Sequence, residues 1–98
     1  MNEKVFKALG NQHRLEIIKL IQNKEICACM LLEELEISQP TLSHHMKVLE
    51  DIALIHSRKD GKWRHYSLNQ EKIKDLANFL TSLISNEDIK SLCNCKGD

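Results

Sequence analysis

The chain has 98 residues and a formal net charge of zero at pH 7. This length allows one small domain, which leaves much of its surface outside its own core. A neutral chain argues against a protein that coats nucleic acid nonspecifically, although not against one that binds a specific nucleic-acid sequence. We find neither a signal-peptide pattern nor an apolar run long enough to cross a bilayer, so we expect a cytoplasmic protein.

Two short helices are predicted at the start of the chain. The first spans residues 2–9, and the second follows the cap Asn11 and closes near residues 22–24. His13 and Arg14 lie at the start of the second helix. We expect a solvated helix end there, and contact with a phosphate or a partner subunit is the alternative.

A third helix is predicted from about Cys27 to Leu35, after a short stretch at Glu25 and Ile26 that can pair as a strand. The link at residues 36–38 has about the length found between the two helices of a helix-turn-helix, although it lacks the glycine often found there. We therefore expect the third helix to open such a motif.

The fourth predicted helix, at about residues 39–52, carries the pattern on which the functional prediction depends, and we call it the reader helix. Ser38 is a good N-cap, and Pro40 is tolerated in a first helical turn. At about 100° per residue, one side is apolar and includes His45, whereas the other side is polar near its N-terminal end. Such a face suits a helix in a DNA major groove, where short polar side chains reach base edges and phosphates. A merely solvated face is the alternative.

A basic hairpin, which we call the wing, is predicted at about residues 54–68. Asp60-Gly61 is a strong turn signal between two strand-compatible runs. A helix followed by such a hairpin indicates a winged helix, so we expect a mainly α fold with a small β-hairpin (α+β). Four cations cluster at its tip and flanks, where they can bind the DNA backbone or protect an edge strand from aggregation. These cations are Arg58, Lys59, Lys62 and Arg64.

The predicted DNA contacts come from both elements. We expect them to be Gln39, Thr41, Ser43, His44, Lys47, Arg58, Lys62 and Arg64. His45 is expected to be structural because it lies toward the buried side of the reader helix. A last helix at about residues 71–85 carries a clean apolar stripe, which has to be covered. A polar tail, residues 86–98, completes the chain.

Three motifs carry a resemblance to a known family: I-C-A-C-M-L-L-E at 26–33, S-Q-P-T-L-S-H-H-M-K-V-L at 38–49 and R-K-D-G-K-W-R-H-Y-S-L at 58–68. A weaker match, L-G-N-Q-H-R-L-E-I-I, lies at 9–18. The chain resembles the ArsR/SmtB family of metal-responsive winged-helix repressors, and specifically its arsenical-resistance branch. The resemblance implies one winged helix-turn-helix domain, residues 1–98, which forms a homodimer through its terminal helices and binds double-stranded operator DNA. No membrane or further protein partner is expected.

The four cysteines form two C-x-C pairs, Cys27 with Cys29 and Cys93 with Cys95. In a reducing compartment we expect no structural disulfides, and free thiolates select soft or thiophilic ions. Residues two apart in a regular helix point about 200° from each other, so Cys27 and Cys29 are expected to bind one ion only if the first helical turn opens. That distortion would lie one short link from the reader helix, so ligand and DNA would each weaken binding of the other.

The family resemblance implies the ligand. In the arsenical branch, As(III) or Sb(III) is the inducer and no cofactor is required. As(III) typically takes three thiolates, so we expect Cys27 and Cys29 together with Cys93 or Cys95. Leu32 stands where another subgroup has its third cysteine, which makes the tail pair necessary if three sulfurs are used.

Two alternatives concern the signal and the class of protein. In the first alternative, the same repressor responds to cadmium, lead or zinc, or to thiol oxidation, although residues 70–90 lack the histidine that the zinc-sensing branch places there. An enzyme is disfavoured, because no cysteine lies in a C-x-x-C and there is no phosphate-binding glycine loop.

Overall fold

A computed structural model describes residues 2–84. Within this range the helices are α1 (Asn2–Leu9), α2 (Gln12–Leu20), α3 (Ala28–Leu35), α4 (Gln39–Asp51) and α5 (Gln70–Ser82), and the strands are β1 (Ile26–Cys27), β2 (Ile55–Asp60) and β3 (Trp63–Leu68). The expected mainly α fold with a small sheet is therefore confirmed: α4 is the reader helix, and β2 and β3 form the wing. None of the described helices is long and apolar enough to span a membrane. The tail, residues 86–98, lies outside the described residues.

Polar caps set where three of the helices begin. In each, a side-chain oxygen accepts a backbone N–H of the first turn, which satisfies a group that has no partner within the helix. The capping residues are Asn11 for α2, Ser38 for α4 and Asn69 for α5. Such a cap contributes about 1 kcal/mol to helix stability.

The turn between α3 and α4 is made without glycine. Glu36 ends α3 in the left-handed conformation, at φ 53° and ψ 47°, and its N–H donates to the Leu32 carbonyl at 3.0 Å. A non-glycine residue adopts this conformation at some cost, because its Cβ crowds the backbone. The missing glycine of the sequence pattern is thus replaced by a strained residue rather than by a different turn.

A second left-handed residue, Ala53 at φ 61°, ends the reader helix. The Ala53 N–H donates to the Glu50 carbonyl at 2.9 Å and the Leu54 N–H to the Leu49 carbonyl at 3.0 Å, which is a Schellman motif. Asn69 then joins this end to α5: its Nδ2 donates to the Ala53 carbonyl at 2.8 Å, and its backbone N–H donates to the Leu54 carbonyl at 2.9 Å.

The three described strands pair in the order β1-β3-β2, and both pairings are antiparallel. Asp60 pairs with Trp63, so Gly61 and Lys62 form the two-residue turn at the wing tip. The turn is therefore centred one residue later than the Asp60-Gly61 signal suggested. Gly61 has φ 69°, which glycine adopts without steric cost.

The core lies between the helices and the inner face of the sheet. Its fully buried side chains include Ile17, Ile21, Leu31, Met46, Leu49, Leu54 and Val5. The predicted buried side of the reader helix is confirmed, because Leu42, His45, Met46 and Leu49 are all buried. The opposite side of that helix is consequently held toward solvent.

Candidate DNA-binding face and thiol site

The N-terminal half of α4 presents a polar face to solvent. All five contacts predicted on this helix are exposed: Gln39, Thr41, Ser43, His44 and Lys47. The N-cap also orients one of them, because Ser38 Oγ donates to Thr41 Oγ1 at 2.8 Å while it accepts the Thr41 N–H at 3.2 Å. Lys47 Nζ lies 3.7 Å from Asp51 Oδ1, and an exposed pair of this kind is held weakly. The face therefore carries both hydrogen-bond donors and hydrogen-bond acceptors, as a surface suited to a DNA groove does.

A groove of about 270 Å³ lies between the start of the reader helix and the wing. Its polar and aromatic lining includes Gln39, Ser43, Lys59, Lys62, Trp63 and Arg64. Four predicted contacts, Gln39, Ser43, Lys62 and Arg64, therefore meet around one cationic groove. Lys59 and Trp63 were not among the predicted contacts. Lys59 could have been predicted because it belongs to the basic cluster of the wing. For Trp63, the one indication in the sequence was its position just after the predicted turn.

Arg58, another predicted contact, is engaged by the protein itself. Its Nε and Nη2 donate to the two carboxylate oxygens of Glu25, each at 2.8 Å, and its Nη1 lies 3.7 Å from Asp60 Oδ2. The hydrogen bond from Arg58 lowers the pKa of Glu25, and the same bond raises the pKa of Arg58. The structure therefore joins Arg58 to the segment before β1, whereas Lys62 and Arg64 border the groove.

Arg14 and His45 meet behind the reader helix. Arg14 Nη1 donates to His45 Nδ1 at 3.0 Å, and Arg14 Nε donates to the Ala8 carbonyl at 2.6 Å. Burial, and next the charge of Arg14, lower the pKa of His45, which is 7% exposed. The expected structural role of His45 is confirmed. The expected solvated helix end is wrong for Arg14, which instead joins α1, α2 and α4.

Cys27 and Cys29 lie side by side at the start of α3, and a disulfide joins their sulfur atoms. Cys27 is the N-cap, with extended backbone angles of φ −72° and ψ 143°, and its Sγ accepts the Cys29 N–H at 3.2 Å. The two cysteines do not share a regular helix, because α3 begins at Ala28, so the 200° separation expected within such a helix does not apply to them. The expectation that these thiols stay out of disulfides is wrong for this pair.

The tail pair, Cys93 and Cys95, lies outside the described residues. Within residues 2–84 no group of three or more His, Cys, Asp or Glu side chains is placed to hold a metal ion. The described part of the chain thus brings two sulfurs together and places no further His, Cys, Asp or Glu beside them as a third candidate ligand.

Fold and surface together define the class of this protein. A helix-turn-helix whose second helix is polar toward solvent, followed by a cationic β-hairpin, is a winged helix-turn-helix DNA-binding domain. Residues 11–57 match the family described as Bacterial regulatory protein, arsR family.

Known proteins agree with this assignment. The chain is 43% identical over 89 residues to the Arsenical resistance operon repressor of Staphylococcus aureus, covering 91% of this chain and 85% of that one. It is 45% identical over 92 residues to the repressor of the same name from Staphylococcus xylosus, covering 94% and 86%. The solved structure of HlyU from Vibrio cholerae N16961 aligns with a TM-score of 0.69 at 30% identity, covering 82% and 87%. The chain belongs to the arsR family of bacterial regulatory proteins, whose members are transcriptional regulators and not enzymes.

Proposed function

We propose that this protein is a homodimeric repressor that binds operator DNA and is released when As(III) or Sb(III) binds its cysteine thiolates. The observation that carries the proposal is the meeting of the Cys27 and Cys29 sulfurs at the start of α3, in the same domain as the reader helix. The names of the two staphylococcal relatives support the same class of inducer.

Reduced thiols at Cys27 and Cys29 fit a thiophilic ion. Both sulfurs belong to one short segment, and the extended N-cap places Cys27 outside the helix, so the two sulfurs meet at the start of α3. Thiolate sulfur is a soft donor, which favours such an ion over magnesium or calcium. A third sulfur then has to come from Cys93 or Cys95, in keeping with the three-thiolate site expected for the arsenical branch.

DNA binding is assigned to the reader helix and the wing. Ser43 and His44 face solvent where a helix in the major groove meets base edges. Lys59, Lys62 and Arg64 surround the groove beside them, where cations neutralise backbone phosphates and release counterions. Base contacts and phosphate contacts therefore come from different elements, so mutations can separate specificity from salt dependence.

Dimerisation is assigned to an apolar surface on α1 and the end of α5. Phe6 and Phe79 lie with ring centroids 6.1 Å apart. Beside them Leu80, Leu83 and Ile84 are 50%, 59% and 68% exposed. Apolar groups grouped in this way on a small domain favour a protein interface. A twofold dimer presents two reader helices to half-sites about one helical turn apart, or a multiple of that.

The test is a fluorescence-anisotropy titration of the reduced, full-length protein on its own upstream promoter DNA at fixed salt. Arsenite, cadmium and zinc are added separately. We expect arsenite to release the wild-type protein, and Cys27→Ser or Cys29→Ser to bind DNA normally without release. Ala28→Ser is the matched control, because it changes the residue between the two sulfurs and keeps both.

Each contrary result has its own meaning. Normal release of both cysteine variants would remove the thiols from the sensor. Release by cadmium or zinc alone would keep the DNA function and overturn the proposed inducer. Failure of the wild-type protein to bind that DNA at all would contradict the proposed operator.

Thiol oxidation is the second candidate signal, and the Cys27–Cys29 disulfide favours it. The two thiols give two electrons and two protons to hydrogen peroxide, which leaves as two water molecules. The variant Cys93→Ser with Cys95→Ser isolates this pair. Loss of operator binding after peroxide, restored by dithiothreitol, would support oxidation as a signal. Unchanged binding would contradict it.

A further inference from the structure

The thiol site lies beside the wing. Cys27 is the last residue of β1 and pairs with His65 of β3, which on its other side pairs with Arg58 of β2. Directly opposed residues in neighbouring strands share one face of a sheet. Cys27, His65 and Arg58 thus form one row across the sheet, and the row spans about 10 Å from its first strand to its third.

A bidentate ion pair also joins the third strand of this row, β2, to the segment just before the first, β1. The Arg58 guanidinium reaches back over β3 and donates two hydrogen bonds of 2.8 Å to Glu25, two residues before Cys27. Such a bidentate pair, which we call the fork, fixes the orientation of the guanidinium relative to the carboxylate as well as the distance between them, because both carboxylate oxygens and two nitrogens are engaged. The outer strand of the wing is therefore attached to the thiol segment by a side chain, in addition to the backbone pairing through β3.

The route along the chain from the thiols to the reader helix is longer. Cys27 caps the beginning of α3, whereas the link to the reader helix leaves from the end of this 8-residue helix, about 12 Å away. Along the chain, a shift of the thiol segment reaches that link through the helix. Across the groove, Ala28 lies near Leu42 and Ser43 of the reader helix. Among the described residues, no polar contact between α3 and the reader helix is comparable to the Arg58 fork. The same shift acts on the wing at once, through β3 and through Arg58.

We propose that the Glu25–Arg58 ion pair couples the thiol site to the wing, so that ligand binding at Cys27 and Cys29 repositions the wing cations on DNA. This inference rests on the proposed function and names its regulatory connection. Arg58 is then a positioning residue, and the contacts with phosphate belong to Lys59, Lys62 and Arg64.

The pair is well suited to a test, because it contributes little to folding. The Arg58 and Glu25 side chains are 55% and 36% exposed, and exposed ion pairs contribute little to folding because water screens them. Variants of either residue are therefore expected to fold. A large change in ligand response would then report coupling and not stability.

The measured quantity is the ratio of the DNA dissociation constants of the reduced homodimer with and without saturating arsenite. Glu25→Gln keeps the Arg58 charge and breaks the fork, and Arg58→Lys keeps a cation without the bidentate geometry. We expect each to lower the ratio about fivefold or more, within the usual range of coupling between sites. The charge swap Glu25→Arg with Arg58→Glu is expected to restore it to within about twofold.

Two controls separate coupling from its alternatives. Asp60→Asn removes the charge of the more distant acidic neighbour of Arg58 and leaves the fork. This variant changes a residue of β2 before the two-residue turn and leaves the turn itself unchanged. Its ratio is expected to match the wild type. Arsenite affinity of the DNA-free protein, measured by quenching of Trp63 fluorescence, is expected to change less than about twofold in Glu25→Gln, since by linkage only the coupling is lost.

The possible outcomes are distinct. A wild-type ratio near one overturns the proposed function and the coupling together. Wild-type release accompanied by equal release of Glu25→Gln and Arg58→Lys overturns the coupling alone. An equal fall in the ratio of Asp60→Asn also overturns it, because the fork is then not the element that transmits the signal.

Discussion

Arg14 Nη1 donates a hydrogen bond of 3.0 Å to Nδ1 of His45, across 31 positions of the sequence. Because a guanidinium only donates, Nδ1 has to be the unprotonated nitrogen of the imidazole. The same guanidinium holds the Ala8 carbonyl at 2.6 Å. A neutral histidine on the buried side of the reader helix is therefore part of what positions that helix.

The folded domain is expected to lose stability in mild acid because of His45. Burial and then the nearby Arg14 lower its pKa below the ordinary value of 6.5. As the pH falls, the unfolded chain binds this proton first, so the stabilisation is present above about pH 6.5 and is lost as the pH falls through the folded pKa. Urea unfolding at fixed protein concentration should show a lower midpoint at about pH 5.5 than at about pH 7.5.

Substitution of His45 separates this effect from other titrations. His45→Gln keeps an acceptor for Arg14 and removes the titrating group, so the difference in midpoint between the two pH values should shrink. His56→Gln, at an exposed position of β2, makes the same substitution away from the buried pair and is the matched control. An undiminished pH effect in His45→Gln would place the acid-sensitive group elsewhere.

Ala53→Gly is expected to stabilise the domain by about 0.5–1 kcal/mol. Ala53 holds φ 61° at the end of the reader helix, where glycine avoids the crowding of Cβ against the backbone. The measurement is the free energy of unfolding from urea titrations of both proteins. Ala77→Gly, inside α5, should have the opposite sign and cost about 1 kcal/mol. A loss of stability in both variants would contradict the assigned Schellman motif.

Lys62→Gln should weaken binding of operator and of unrelated DNA alike. Lys62 is exposed at the wing tip and lines the cationic groove, so its loss should lower the slope of log K against log salt by about 0.9. Anisotropy titrations at several salt concentrations measure this slope. Lys74→Gln, on the exposed surface of α5, is the control with the same change of charge. A slope equally reduced in the control would show that overall charge is responsible.

If the proposed dimer forms through α5, Leu80→Glu is expected to give a monomer and to abolish operator binding at low protein concentration. Leu80 is 50% exposed within the apolar surface formed with Phe79 and Leu83, and a buried unpaired carboxylate at an interface costs several kcal/mol. Sedimentation equilibrium gives the oligomeric state. Asn78→Glu, about half a helical turn from Leu80, should remain dimeric. A dimer that persists in Leu80→Glu would move the interface to another surface.

Local patterns in the sequence were sufficient for the reader helix and the wing. The Ser38 cap bonds the Thr41 N–H three residues later, and the buried face follows the helical period, so both features depend only on neighbours along the chain. The C-x-C pair was likewise visible from its spacing. The geometry of the pair could not be predicted, because the helix begins one residue later than expected and Cys27 is its N-cap with an extended backbone.

The contacts that the sequence did not predict join residues far apart in the chain. Glu25 meets Arg58 across 33 positions, and the order β1-β3-β2 brings them together only after the wing has folded. Each residue looks like an ordinary surface charge when it is considered alone. Periodicity and spacing contain no information about such a pair, which depends on the register of three strands.

Asn69 has a consequence for how two copies would be spaced on DNA. Its side chain caps α5 through Lys72 and also donates to the Ala53 carbonyl at the end of the reader helix. One amide thus connects the reader helix, which is proposed to recognise bases, with the helix that is proposed to bind the partner subunit. In the proposed dimer, this residue fixes the position of the reader helix relative to α5. It therefore helps to set the distance between the two reader helices. Under this proposal, the separation of operator half-sites depends on a residue that need not touch DNA.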